Sequence, residues 1–300
     1  MTHIAVLCLI LPFWMAPGPM PMPDAPGVTG SPQAEPRSPV LTGLSDAVAV
    51  RASSAGHLFI VERGRNRILK IDTEGVRIDS AGRLGSGDYQ FDNPVAIDPT
   101  NELKIYVADR NNRRIQVFDR RFQYIGTVSL PQRAGYGQAY RPALITTDYA
   151  GRLFFYDEER HRVFRIDSNG QYDLSFELFG PDDRVLPLSM TILDEVIWVA
   201  DSREQVLHRF SLSGSYLGFL HLPEPVRALA RAHRELWVMG SAHIMQIDGT
   251  GEILRRVSLP EMAVGQASPL TWRSFTILGR QAWLLHGSGL VRMDLGPMAD

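Results

Sequence analysis

The 300-residue sequence predicts an all-β fold, a six-bladed β-propeller of four-stranded blades. Three observations predict it. A hairpin-like unit recurs six times, its period lies in the forties with strand rather than helix periodicity, and one strand too few at the C-terminal end is matched by a spare extended segment at the N-terminal end.

The first element along the chain is a leader. Ile4 to Ala16 (IAVLCLILPFWMA) is apolar, too short to span a bilayer and of the length found in the middle of a signal peptide, so residues 1–16 are expected to direct export. Met1-Thr2-His3 carries no Lys or Arg, and no clear small-x-small cleavage site follows. The expected location is periplasmic or extracellular, with tethering to the membrane if the leader stays uncleaved, and no transmembrane span in the mature form. The one cysteine, Cys8, falls inside the leader, so the mature fold is expected to hold without thiol or disulfide. Pro17 to Pro39 holds eight prolines and few large side chains to bury, which predicts a disordered linker over residues 17–38. The propeller is expected over 39–296, followed by a tail at 297–300.

The repeats come next. The hairpins read LFIVERGRNRILKID from Leu58, IYVADRNNRRIQVFD from Ile105, LFFYDEERHRVFRID from Leu153, IWVADSREQVLHRFS from Ile197, LWVMGSAHIMQID from Leu236 and AWLLHGSGLVRMD from Ala282. Each is an apolar run, a polar turn and an alternating run that ends on an apolar residue and usually Asp. The apolar markers Ile71, Phe118, Ile166, Phe210, Ile247 and Met293 are spaced by 47, 48, 44, 37 and 46 residues. Ahead of each hairpin lies a short inner strand, beginning near Ala47, Pro94, Ala143, Ser189, Val226 and Ser274. Outer strands follow from Gly75, Phe122, Gln171, Ser215 and Glu252. The sixth outer strand is absent, so residues 39–44 (PVLTGL) are expected to complete the last blade and leave no open edge.

Composition excludes little. A net charge of -2 and a pI near 6.5 argue against a surface that grips nucleic acid or anionic lipid as a whole. Of 31 basic residues only Lys70 and Lys104 are lysines, so a single arginine carries little information by its identity alone.

The stretch GSGDYQFDNPVAIDPTNELKIYVADRNNRRIQVFD, from Gly85 to Asp119, resembles the NHL repeat: a Gly-rich turn, Phe before the inner strand, Pro-Val-Ala-Ile-Asp, then Tyr-Val-Ala-Asp with Asn and Arg in the turn. Copies one and three match fairly, copy four less, and copies five and six keep mainly the apolar frame. The resemblance implies the fold over about residues 40–296 and leaves function open.

Two roles are expected for the repeated polar residues. Glu62, Asn66 and Arg67, then Asp109, Asn112 and Arg114, then Asp157 and Arg162, with Arg160 in the same third turn, surround the hairpin turns. Their carboxylates and guanidiniums are expected to pair across facing strand ends while Asn takes a left-handed turn position. The same rim gathers Arg63, Arg65, Arg110, Arg113, Arg160, His161 and Arg203, and the long inter-blade loops bring Tyr89, Tyr136, Tyr140 and Arg141. These residues form the candidate partner-binding surface, since arginine and aromatics on rigidly held loops favour contact with a partner. Phe91 and Trp272 in those loops are read either as contacts or as wedges between blades. RNA-binding NHL domains resemble this rim in using a basic face, but Glu62, Asp157, Glu158, Glu159 and Glu204 dilute the field here, and an exported chain is not expected to meet nucleic acid.

The expected function is therefore that of a monomeric, non-catalytic binding module for a protein, peptide or glycan, with no cofactor implied. The alternative is a metal-dependent hydrolase or lyase, because gluconolactonase-like and amidating-lyase enzymes share similar six-bladed scaffolds. The first would need calcium held by oxygen ligands at the channel mouth, where Asp46, Asn93, Arg141, Pro187 and Pro225 supply only fragments of such a set. The second would need histidines converging on zinc, whereas His57, His161, His208, His221, His233, His243 and His286 share no blade position.

Overall fold

The computed structural model describes residues 39–100, 102–130, 139–181, 183–203, 205–260 and 271–296; the leader, the proline-rich segment and the tail after 296 lie outside the described residues. Six four-stranded antiparallel sheets stand within them. The one helical piece among the described residues is the short 3-10 turn Arg63–Arg65. No helix of the described residues is long and apolar enough to cross a membrane.

Blade 2 shows how the local sequence makes a blade. Its strands are Pro94–Asp98, Ile105–Asp109, Arg114–Phe118 and Tyr124–Thr127, each paired to the next. The second strand is buried along its whole length, because both of its faces meet neighbouring blades. Such strands read as continuous apolar runs. Outermost strands have one solvated face, so Tyr216–His221 of blade 4 alternates between half-buried and exposed residues.

The innermost strands, Ala47–Ala52, Pro94–Asp98, Pro142–Thr147, Pro187–Leu193, Ala228–Ala232 and Ser274–Leu278, each touch the next in order, and the sixth touches the first. That cycle makes the domain a six-bladed β-propeller. Six apolar clusters fill the six gaps between successive blades. The gap between blades 6 and 1 is packed by Leu58, Ile60, Trp283 and Leu285. In the sixth sheet the outermost strand is Leu41–Thr42, with Leu41 opposite Leu290 and Thr42 opposite Gly289. The Val40 N–H also donates to Leu290 O at 2.9 Å and Leu44 N–H to Ser288 O at 3.0 Å.

An innermost strand has no sheet neighbour on its axial side, so its N–H groups need other acceptors. Side chains of the adjacent blade supply them. Ser274 Oγ accepts from Val50 N–H (3.2 Å), Thr276 Oγ1 from Ala52 N–H (3.0 Å), Asp98 Oδ2 from Thr147 N–H (2.7 Å) and Ser189 Oγ from Leu229 N–H (3.0 Å). All four acceptor side chains are buried, and this pairing accounts for polar groups placed inside otherwise apolar strands.

Candidate functional site

The start of each innermost strand lies opposite the end of the second strand, as in Ala47↔Glu62, Pro94↔Asp109, Pro142↔Asp157 and Pro187↔Asp201. Hairpin turns, innermost-strand starts and inter-blade loops therefore share one face of the ring. Glu62, Asp109, Asp157 and Asp201 end the second strands of blades 1–4 and are all buried. Each carboxylate accepts the backbone N–H of the segment entering its own blade: Ser45 at 2.8 Å, Asp92 at 2.8 Å, Arg141 at 3.3 Å and Leu186 at 3.3 Å. In the same four blades the innermost strand bulges just after its start. Blades 5 and 6 place Met239 and Leu285 there and run without a bulge. The repeated acid thus anchors the bulged entry of a blade. Burial raises the pKa of Asp109, while Asp92 N–H, Asn112 and Arg114 pull the other way.

The expected turn pairs are present in part. Arg67 pairs with Glu62 and Arg114 with Asp109 at 2.9 Å. In blade 3, Asp157 holds Arg160 at 2.6 Å and Arg162 reaches Glu177 at 2.9 Å. The left-handed turn residue is Asn66 in blade 1, but Arg113 in blade 2 and His161 in blade 3. Asn112 instead donates to Gly85 O at 2.7 Å and Asp109 Oδ2 at 2.8 Å, which ties the turn to the incoming loop.

The expected rim arginines do gather on this face, but carboxylates take them up. Arg63 and Arg273 hold Asp46 from two sides, and Arg63 foremost keeps that carboxyl below the usual carboxylate range. Arg65 pairs with Glu62 and donates to Gly43 O at 2.9 Å. Arg110 grips Glu158 with two bonds of 2.7 Å, Arg141 binds the same carboxylate at 2.8 Å, and Arg113 pairs with Glu159. Arg203 bridges Asp183 at 3.0 Å and Asp201 at 3.3 Å. His161 Nδ1 lies 3.0 Å from Tyr156 Oη. The rim is a mosaic of both signs, not a basic surface.

Tyr140 leaves the expected set, and Tyr136 lies outside the described residues. Tyr140 is only 1% exposed; its hydroxyl accepts from Ile115 N–H at 3.0 Å and donates to Val128 O at 2.7 Å, so it pins the gap between blades 2 and 3. A ring fixed that way offers a partner nothing. Tyr89 packs on Phe118 and Tyr124, with its hydroxyl 2.8 Å from Tyr124 N and in contact with Gln123. It stands beside the Asp119–Gln123 turn of blade 2, in a cleft that Arg83 and Arg121 also line, and stays exposed. Phe91 and Trp272 are buried wedges, in the gaps between blades 1 and 2 and between blades 5 and 6.

The opposite face carries residues that the sequence did not single out. An axial cavity there is lined by innermost strands of all six blades, including Arg51, Asp98, Ile145, Met190, Arg231 and Thr276. Arg231, from blade 5, crosses it. Its guanidinium donates to Ile192 O of blade 4 (2.8 Å), Thr147 O of blade 3 (3.0 Å) and Thr100 Oγ1 of blade 2 (3.1 Å), and lies 4.7 Å from the centre of the Tyr149 ring. Nearby, Glu102 is buried with Ser53, His57 Nδ1 at 2.8 Å and Lys70 Nζ at 3.4 Å. Burial works to raise the Glu102 pKa, and these partners outweigh it and bring it below the ordinary value. Among the described residues no three His, Cys, Asp or Glu side chains stand together as a metal-holding group.

The closed ring and its two unlike faces define a six-bladed propeller with a charged loop face. No family model and no curated protein matches the sequence. Solved propellers do match its fold. A streptogramin B lyase is 15% identical with a TM-score of 0.60, over 84% of this chain and 94% of that one. A gluconolactonase from Xanthomonas campestris is 14% identical with a TM-score of 0.60, over 85% and 88%. BBS1N, solved in complex with ARL6DN, is 14% identical with a TM-score of 0.56, over 86% and 80%. At these identities the likeness shows the fold alone, and it spans both enzymes and a protein in complex with a partner.

Proposed function

We propose that this chain is an NHL-type propeller that works outside the cytoplasm as a non-catalytic binding module, meeting a protein, peptide or glycan through the face that carries the hairpin turns. The observation that carries the reading is the ion-pair arc of blades 2 and 3. Arg110, Arg141 and Arg113 stay partly exposed while held by Glu158 and Glu159. Paired charges lose little further entropy on contact and present both signs at fixed spacing, which suits a partner with its own mixed charges better than a polyanion.

The test is cross-linked capture from envelope extracts with the full chain and with the double variant Arg113→Glu, Arg141→Glu. The expected result is a specific partner lost in the variant. A partner retained by the variant, or none at all, would overturn the reading. Stoichiometric calcium or zinc in the purified protein, measured by elemental analysis, would favour the metal-dependent hydrolase instead.

A further inference from the structure

One position of the repeat changes character in a single direction that matters. The third-strand residue facing Ile60, Phe155, Val238 and Leu284 is apolar in four blades: Leu69, Phe164, Met245 and Val291. Blade 2 has Gln116 there and blade 4 has His208. Gln116 spends its amide N–H locally, on Gln90 O at 2.6 Å. His208 is 6% exposed, with Nδ1 3.3 Å from Tyr216 Oη and Nε2 4.0 Å from Asp201 Oδ2. It forms one wall of an open cavity of about 200 Å3. Gly180, Pro181 and Asp183 of the loop between blades 3 and 4 line it too, and Asp201, Arg203, Phe219 and His221 are among the other described residues around it.

We propose that this cavity receives one basic side chain, an arginine or a lysine, of a peptide or protein partner. The inference rests on the binding-module reading and names the group that is read. Size limits the occupant first: sites for whole small molecules run to roughly 300–1,000 Å3, so this cavity fits one side chain. Charge sets the sign. Among the described lining residues two carboxylates, Asp183 and Asp201, stand against one guanidinium, Arg203, while the neighbouring Arg184 is itself paired to Glu177, which leaves the lining one carboxylate in excess. The N–H of Arg184 and the Arg203 guanidinium hold Asp183 below the usual carboxylate range, so it stays ionised, and its side chain is 71% exposed. A carboxylate accepts at about four lone-pair sites, so Asp183 can take a second cation beside Arg203. Phe219, 41% exposed, adds a ring face of the kind that attracts cations. The same loop already shows the pairing within the chain, with Arg184 5.5 Å from the Phe179 ring centre.

The experiment follows the His208 and His221 imidazole signals of the full chain by NMR while adding acetyl-Gly-Arg-Gly-amide, acetyl-Gly-Glu-Gly-amide or acetyl-Gly-Leu-Gly-amide. Saturable shifts with the arginine peptide alone are expected. Asp183→Asn, at an exposed site, should weaken binding about tenfold, as expected for loss of a charge-assisted bond. Phe219→Leu should weaken it about threefold. Equal shifts with the glutamate peptide, no shift with the arginine peptide, or an unchanged affinity in Asp183→Asn would each overturn the assignment. A partner captured from envelope extracts whose binding ignores Asp183→Asn removes the cavity and leaves the module. An arginine peptide bound at the cavity without any captured partner does the reverse.

Discussion

Arg231 is the side chain whose loss the ring should feel most for its size. It reaches from blade 5 to blades 2, 3 and 4, three donated hydrogen bonds of 2.8–3.1 Å from one guanidinium, with Tyr149 beneath it. Arg231→Ala removes all of these and leaves two strand carbonyls without their donor. A hydrogen bond to a charged group is worth about 1.5–3 kcal/mol and an exposed cation–π contact about 0.5–1 kcal/mol. The terms do not add, because the site is half-buried and water can reach the freed carbonyls, so we expect a net loss of about 2–4 kcal/mol. For a domain of this size that lowers the melting temperature by roughly 4–8 °C. Arg231→Lys should recover only part, since a single ammonium cannot span three acceptors set around a planar fork. Arg234→Ala serves as the control: its side chain is 88% exposed and 3.9 Å from Asp194, and it should change stability by less than about 0.5 kcal/mol. Calorimetry and urea unfolding measure all three. An Arg231→Ala protein within about 1 kcal/mol of the parent would refute the cross-ring staple.

Three further outcomes follow from the same geometry. Tyr140→Phe should lower the urea midpoint by an amount worth about 1–3 kcal/mol, because Ile115 N–H and Val128 O lose a buried partner; an unchanged midpoint would return Tyr140 to the surface. His286 should titrate below its ordinary 6.5, burial first and Arg273 second disfavouring its charge. The unfolded chain then protonates first as pH falls, so this stability is complete above pH 6.5 and is lost as pH drops toward the folded value. Proton NMR reads the titration, and His286→Gln should flatten the slope of stability against pH; a titration at or above 6.5 would contradict it. A chain beginning at Ser45 should melt earlier than one beginning at Pro39 and should self-associate in light scattering, because the Gly289–Asp294 edge loses its Leu41–Thr42 partner; equal melting and a monodisperse monomer would show that these residues do not close the ring.

The fold was legible because blade packing imposes a pattern that survives sequence drift. Strands buried on both faces must be apolar throughout, so LFIV, IYVA, LFFY and IWVA stand out even where turns differ. The closing Asp was legible as a marker but not as a device. Asp72, Asp119, Asp167 and Asp248 each accept backbone N–H groups two and four residues on, and Ser211 does the same in blade 4. A short acceptor at that point turns the chain into the outermost strand.

The site was harder to read for a physical reason. Sequence shows which residues share a turn, whereas the rim is neutralised between blades: Arg110 and Glu158 are 48 residues apart and Arg113 and Glu159 are 46 apart. These separations match, to within two residues, the 48-residue step from Phe118 to Ile166. A residue and its equivalent in the next blade are neighbours in space, so the charges at one turn should be read against those one period later. The same rule recovers the axial acceptors, since SMTIL from Ser189 and SFTIL from Ser274 both place Ser and Thr two apart in an apolar strand. In blades 4 and 6 that Ser accepts a neighbour's N–H. A polar residue repeated inside a buried strand therefore marks the unpaired inner edge of the ring. The positions equivalent to Arg231 hold Ala52, Thr147, Ile192 and Ile277 in blades 1, 3, 4 and 6, and Arg231 has carbonyl partners in two other blades; a side chain that breaks the repeat in this way is where cross-ring contacts should be sought first.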